Sequence, residues 1–209
     1  MMSNGKLVCG LGLCGLGLAL FSTLAVAGNG FCNAAPITIV DNAAADVYPS
    51  AITVSGAPGS ITSVSVQING FSHTFPDDVG MVLVGPGGQA LLLQDGAGDD
   101  PDMVGVTYFF SDAAAAQLPD LTAWTAGTYK PTAYTTGDNF GAPGPGTTYA
   151  SPAPSGSATL SSVYSGTSAN GTWNLFVEDF VAGDSGSISG GWCISFAGTP
   201  VRLQDFSVD

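Results

Sequence analysis

Basic residues are almost absent from this sequence. Its 209 residues contain three Lys and Arg against 16 Asp and Glu, which gives a formal net charge of −13 at pH 7. A surface this acidic repels phosphate backbones, so nucleic acid is not expected as a partner. The acids are nearly all aspartate, because Glu178 is the only glutamate. Aspartate favours turns and supplies oxygen to hard cations, which indicates acidic loops rather than salt-bridged helices.

Histidine is also scarce, since His73 is the only one, and a zinc site built on several histidines is therefore excluded. Two of the four cysteines, Cys9 and Cys14, lie in an uncharged stretch that follows Lys6 and ends in "AVAG" at residues 25–28. This layout is typical of a secretory signal peptide, residues 1–27, cleaved after Ala27. The alternative is a retained membrane helix, against which the many glycines and the cleavage-like end argue. We expect a secreted or periplasmic protein without a membrane anchor.

Cleavage would leave Cys32 and Cys193 as the only cysteines of one domain, residues 28–209. Two cysteines in an exported protein predict a disulfide, with two free thiols as the alternative. Because Cys193 follows Trp192, which we assign to the core, we expect Cys193 on the outer face of its strand. The segment that carries Cys32 is then expected to pass over the outside of that sheet.

Short apolar runs separated by turn residues predict an all-β protein. In "SITSVSVQI", Val64, Val66 and Ile68 alternate with polar residues, which is typical of a half-buried strand. One helical turn is expected at residues 111–118, and "GPGG" at 85–88 predicts a hairpin. About eight or nine strands without helical crossovers predict an antiparallel β-sandwich of jelly-roll type. The further predicted strands are residues 37–40, 51–55, 79–85, 89–94, 104–110, 159–166, 171–180 and 190–196, and residues 137–157 are predicted to form a surface loop without a buried pattern.

Three stretches of the chain, in order, resemble the P domain, or homo B domain, of subtilisin-like proprotein convertases. The first is "ITSVSVQINGFSHTFPDDVGMVLVGPGGQALLLQ", the second "VTYFFSDAAAAQLP", and the third "LSSVYSGTSANGTWNLFVEDFVAGDSGSISGGWCISF". The resemblance is greatest to the free-standing bacterial members, which are exported without a protease. It implies a jelly-roll sandwich, often with bound calcium, that stabilises or regulates a protease. Proteolysis by serine-type chemistry belongs to the family's catalytic domain, which these stretches do not resemble.

Acidic residues at predicted strand ends form a candidate calcium site. Calcium takes six to eight oxygen ligands, which flexible loops bring together. We therefore predict a site drawn from Asp77, Asp78, Asp112 and Asp179. The alternative is that Asp112 caps the predicted helix and that Asp77 and Asp78 form a solvated turn. A second acidic stretch, "DGAGDDPD" at residues 95–102, is more typical of a solvated turn than of a metal loop.

Three functions of different classes compete. The favoured hypothesis is a secreted, noncatalytic module that binds calcium and a protein partner such as a protease. The alternative is a carbohydrate-binding or adhesion module that contacts surface glycans through Trp124, since Trp173 and Trp192 alternate with apolar residues and are assigned to the core. A hydrolase would need a base for a serine such as Ser185 in "GDSGS", and His73, the only candidate, is expected to be a structural histidine at a sheet edge.

Overall fold

The structure is a computed structural model that describes residues 29–57 and 59–199. Within these residues lie thirteen strands, a short α helix and one turn of 3₁₀ helix at Pro76–Asp78. The predicted signal peptide lies outside the described residues. The elements are β1 (Asn29–Asn33), β2 (Ile37–Ile39), β3 (Ser50–Val54), β4 (Ile61–His73), β5 (Val79–Val84), β6 (Ala90–Asp95), β7 (Met103–Ser111), β8 (Ala116–Gln117), β9 (Gly127–Lys130), β10 (Thr132–Ala133), α1 (Leu160–Tyr164), β11 (Gly171–Asp179), β12 (Gly186–Ile188) and β13 (Trp192–Gly198).

The strands form two packed sheets, which confirms the predicted all-β sandwich. The larger sheet has the order β1-β13-β4-β7-β9-β8, with β12 pairing both β2 and β4, and the smaller has the order β10-β6-β5-β11-β3. Most neighbours are antiparallel, but β9 runs parallel to β7 and β8, and β10 runs parallel to β6. The sheets are therefore mixed rather than purely antiparallel, and they contain more strands than predicted. The jelly-roll connectivity stays a prediction.

The strand β4 follows the alternation of its sequence. Val64, Val66 and Ile68 are buried between the sheets, while the polar residues between them are exposed or half-buried. Trp173 on β11 and Trp192 on β13 are fully buried in the same core, as predicted from their apolar neighbours. The predicted hairpin is also present, because the amide of Gly85 donates to the carbonyl of Gln89 between β5 and β6.

The smaller sheet is covered on both faces. A second apolar cluster lies on its outer face and includes Val82, Leu92 and Phe176. The prediction that residues 137–157 lack a buried pattern is wrong, because Phe140 in that segment is completely buried in this cluster. The segment also follows the edge of β6, where Ala150 donates to Ala90 and accepts from Leu92. The continuous apolar runs of β5 and β6 therefore have a partner on each side.

Two predicted local structures are wrong. Residues 111–118 form a turn and strand β8 instead of a helix, since a run of alanines offers little apolar surface for a helix to bury. Residues 159–166 contain helix α1 instead of a strand. Its N-cap, Thr159, forms a reciprocal capping box with Ser162, and Leu160 and Tyr164 lie one turn apart on its buried side.

The predicted disulfide between Cys32 and Cys193 is present. The two residues lie directly opposite each other on the antiparallel strands β1 and β13, with 4.0 Å between their Cα atoms. The N-terminal segment therefore lies beside β13 as an edge strand, and the expectation that it passes over the outside of the sheet is wrong. None of the helices within the described residues is long and apolar enough to cross a membrane.

Candidate metal centre

Asp78 and Asp179 are brought together by the pairing of two strands. β11 runs antiparallel to β5, and Asp179 at the end of β11 lies opposite Val79 at the start of β5. The amide of Phe180 donates to the carbonyl of Asp78 at 3.0 Å, which fixes the two chain segments side by side. Asp77 and Asp78 belong to the 3₁₀ turn that precedes β5. The structure thus gathers three of the four predicted ligands at one end of the sandwich.

His73 is buried at this end of the sandwich, and both of its ring nitrogens have close polar neighbours. Its Nε2 lies 3.1 Å from Asp179 Oδ2, and both side chains are fully buried. Its Nδ1 lies 2.8 Å from the carbonyl oxygen of Phe75 and 3.2 Å from the amide of the same residue. Asp179 uses its other carboxylate oxygen to accept from the amide of Val181 at 3.0 Å. Both ring nitrogens of His73 are therefore engaged within the fold. The expectation of a sheet edge is wrong, because β12 and β7 pair with β4 on either side of His73.

A cleft of about 200 Å³ opens next to the pair of His73 and Asp179. Four carboxylates line it, and one of them, Asp95, is only 2% exposed. The Oδ2 atom of Asp95 is buried and has no hydrogen-bond partner among the described residues. A buried carboxylate oxygen without a partner is costly, so this atom is favoured to bind a proton or a cation. The lining residues are Asp77, Asp78, Asp95, Thr135, Asp138, Phe180 and Val181.

Local chain geometry positions Asp95 and Asp138. β10 runs parallel to the end of β6, with Ala133 opposite Asp95, and the amide of Tyr134 donates to the carbonyl of Asp95 at 2.8 Å. Gly96 permits this close approach, because its φ is +61° and a Cβ there would lie 2.8 Å from the Thr135 hydroxyl. A few residues later, the Tyr149 hydroxyl donates to the carbonyl of Asp138 at 2.8 Å.

The electrostatics of the cleft oppose ionisation of its carboxyls. Burial, followed by repulsion from Asp179 and Asp184, raises the pKa of Asp78 to about 6. Burial and the neighbouring carboxyl of Asp138 raise the pKa of Asp95 to about 7, against the opposing effect of the Thr135 side chain. The pKa of Asp77 is also raised, mainly by burial. A cation in the cleft would remove this repulsion.

The only Lys or Arg among the described residues does not line this cleft. Lys130 lines a different cleft together with Asp112. The register of β4 with β7 places His73 beside Met103, at the start of β7, whereas Asp112 follows Ser111 at the end of β7. Asp112 lines the cleft that contains Lys130 and is not among the residues that line the acidic cleft. Asp112 is therefore not part of a common site with the other three predicted ligands.

Asp112 instead caps a helix. Its two carboxylate oxygens accept from the amides of Leu160 at 2.9 Å and Ser161 at 2.7 Å, which are the first two residues of α1. Capping was the alternative to metal binding for this residue, although the helix is α1 and not the one predicted at residues 111–118. Sequence spacing could not reveal this, because the cap and the helix lie 48 residues apart.

The acidic stretch 95–102 does not act as one loop site. Its first residue, Asp95, lines the cleft, whereas Asp100 and Asp102 are exposed. Asp138, in the Gly-rich segment 137–157, was missed as a candidate. The sequence offers only a weak signal for it, a lone acid in "TGDNF" after the short strand β10.

The donor set fits a hard cation only in part. In residues 29–57 and 59–199, no three His, Cys, Asp or Glu side chains form a group ready to hold a metal ion. Two carboxylates in the cleft, Asp95 and Asp138, are close enough to affect one another, and Thr135 adds a hydroxyl beside them. An ion here would take its remaining ligands from carbonyl groups, water and a reoriented Asp77 or Asp78. All of these are oxygen ligands of the kind calcium prefers.

The aromatic residue that would support sugar binding is not available. Trp124 is 3% exposed, and its ring stacks on Phe71 with 5.7 Å between the ring centroids. The expectation that Trp124 is exposed is therefore wrong. Ser185 is exposed, but the only histidine is hydrogen-bonded to Asp179 and Phe75.

Comparison with known proteins adds no family to these observations. The chain matches no protein-family model and no curated protein.

Proposed function

We propose that this chain is an exported, noncatalytic β-sandwich module that binds calcium in its acidic cleft and acts through interaction with another protein. Calcium binding is supported by Asp95, whose Oδ2 is buried without a partner and which lines a cleft with three further carboxylates. Lys130, the one basic side chain of the described region apart from His73, lines a different cleft. A divalent cation would supply the missing positive charge.

The interaction half of the proposal is supported by the resemblance of the chain to P domains. Such domains act on an attached or neighbouring protease without performing its chemistry. The geometry of His73 agrees with a noncatalytic role, because a general base for a serine needs a ring nitrogen that faces the nucleophile. Both nitrogens of His73 face Asp179 and the backbone of Phe75.

Thermal unfolding tests the calcium half. The oxidised protein is melted in millimolar calcium and in excess chelator, beside the Asp78→Ala variant. A ligand that binds only the folded state raises the melting temperature, so calcium should raise the Tm of the wild type and have a smaller effect on the variant. Equal Tm values for the wild type in calcium and in chelator would overturn the proposal.

A peptidase assay tests the noncatalytic half. The wild type should not hydrolyse an unfolded protein substrate faster than buffer does. Hydrolysis that disappears in His73→Ala would show instead that the buried histidine takes part in catalysis.

A further inference from the structure

Asp95 and Asp138 face each other across the acidic cleft from two separate chain segments. Asp95 is the last residue of β6, in the smaller sheet, and its Oδ2 is buried without a partner. Asp138 lies near the start of the 137–157 segment, and its side chain lines the same cleft of about 200 Å³ as that of Asp95. Two carboxylates this close repel each other unless they share a proton or a cation.

The 137–157 segment is the cover of the smaller sheet. Phe140 is completely buried on the outer face of that sheet, and its ring makes edge contacts with Tyr149 and Phe180. Within the segment, the Tyr149 hydroxyl donates to the Asp138 carbonyl and accepts from the Gly137 amide, which holds the residues around Asp138 against the middle of the segment. The repelling pair Asp95 and Asp138 therefore lies where the cover meets the sheet.

We propose that one calcium ion bridges the carboxylates of Asp95 and Asp138 and thereby fastens the 137–157 segment to the end of β6. This inference rests on the calcium binding of the proposed function, and it assigns the two ligands and the consequence of binding. The Thr135 hydroxyl, the neighbouring Asp77 and Asp78, backbone carbonyls and water supply the other oxygens that a calcium ion requires.

The first test compares Asp95→Asn and Asp138→Asn with the wild type at pH 8, with and without calcium. Asp100→Asn is the matched control, since it removes the same charge from an exposed residue of the neighbouring loop. At a calcium concentration 100-fold above Kd, the wild type and the control should gain about 5 to 10 °C in Tm. The two cleft variants should lose this gain.

Without calcium, the ranking of the wild type and the cleft variants by Tm should reverse. Asparagine keeps the shape of the side chain and removes the repulsion, so Asp95→Asn and Asp138→Asn should melt at or above the Tm of the wild type in chelator. A merely structural role for these carboxylates would lower the Tm of the variants in both buffers. A variant that melts below the wild type in calcium but not in chelator has therefore lost a metal ligand. A variant that melts below the wild type in both buffers would contradict the inference.

The second test measures the cover directly by amide hydrogen exchange. Calcium should slow exchange in residues 137–157 of the wild type and leave exchange in helix α1, which Asp112 caps, unchanged. In Asp138→Asn, exchange in the segment should be the same with and without calcium. Terbium, used as a luminescent substitute for calcium, should be sensitised by Tyr149 in the wild type and in Asp100→Asn but not in Asp95→Asn.

The outcomes separate this inference from the proposed function. If calcium raises the Tm of the wild type and equally that of both cleft variants, the ion binds elsewhere and the bridge is refuted while calcium binding stands. If calcium leaves the Tm of the wild type unchanged, the proposed function fails together with the bridge. If the variants lose the Tm gain but exchange in 137–157 never responds to calcium, the ligands are correct and the fastening of the segment is refuted.

Discussion

Removal of the Asp112 side chain should destabilise the protein whether or not calcium is present. In Asp112→Ala, the amides of Leu160 and Ser161 lose charge-assisted hydrogen bonds of 2.9 and 2.7 Å. Leu160 is completely buried, so water cannot replace the lost acceptor at its amide without opening the contact between α1 and the core. Loss of a helix cap costs about 0.5–2 kcal/mol, and a hydrogen bond to a charged group contributes about 1.5–3 kcal/mol. We expect Asp112→Ala to lower the free energy of unfolding by about 2–3 kcal/mol.

Denaturant unfolding in chelator and in calcium measures this loss. In thermal unfolding, the Tm should fall by about 4–12 °C, at roughly 2–4 °C per kcal/mol for a domain of this size. Asp112→Asn keeps an acceptor oxygen without its charge and should cost about 1 kcal/mol, while the exposed Asp100→Asn should cost about nothing. A metal ligand would behave differently, because its removal would abolish the calcium response and spare the metal-free protein. An Asp112→Ala variant of wild-type stability in chelator would refute the capping role.

The remaining predictions concern the covalent and conformational constraints of the fold. Replacing Cys32 and Cys193 by serine removes a bridge that spans 161 residues of sequence, and this should cost up to about 5 kcal/mol of chain entropy in denaturant unfolding; a loss under about 1 kcal/mol would contradict this reasoning. Gly96→Ala should lower stability by about 1–3 kcal/mol, because its Cβ would lie 2.8 Å from Thr135 Oγ1 at a φ of +61°. Gly88→Ala is its control, since φ there is +83° with nothing within 4 Å, and equal losses at the two sites would show that the close approach at Gly96 is not strained.

The strands whose sequence alternates in polarity were predictable. Every second residue of this part of β4 faces the core, and a one-residue shift in register would expose all of the apolar residues. The pattern therefore agrees with the structure at Val64, Val66 and Ile68. Trp173 and Trp192 could be assigned to the core for the same reason. The pairing of Cys32 with Cys193 could be predicted because they are the two cysteines outside the predicted signal peptide. The position of β1 beside β13 could not, because an edge strand leaves no periodic signal of its own.

Helix α1 could not be recognised from apolar pattern. Its buried residues Leu160 and Tyr164 are spaced as a helix requires, yet Val163 and the surrounding serines fit a strand equally well. What decides the structure is the N-terminus, where Thr159 and Ser162 cap each other and Asp112 supplies both oxygens from a distant turn. The first of these signals is local in the sequence, while the second depends on tertiary structure.

The acidic cleft depends on a local irregularity that the sequence hides. Leu91 and Leu93 face the core, so strict alternation along β6 would turn Asp95 inward as well. The pairing of β6 with β5 shifts by one residue, from Leu92 opposite Val82 to Gln94 opposite Met81, and such a bulge exchanges the faces of the residues that follow it. Gln94 therefore accepts a hydrogen bond from the buried Tyr108, and Asp95 lines the outer cleft with Asp138. Because β6 is apolar on both faces, its pattern carries no trace of the bulge. One additional residue in this strand thus decides whether the Asp95 carboxyl is buried in the core or lines the cleft.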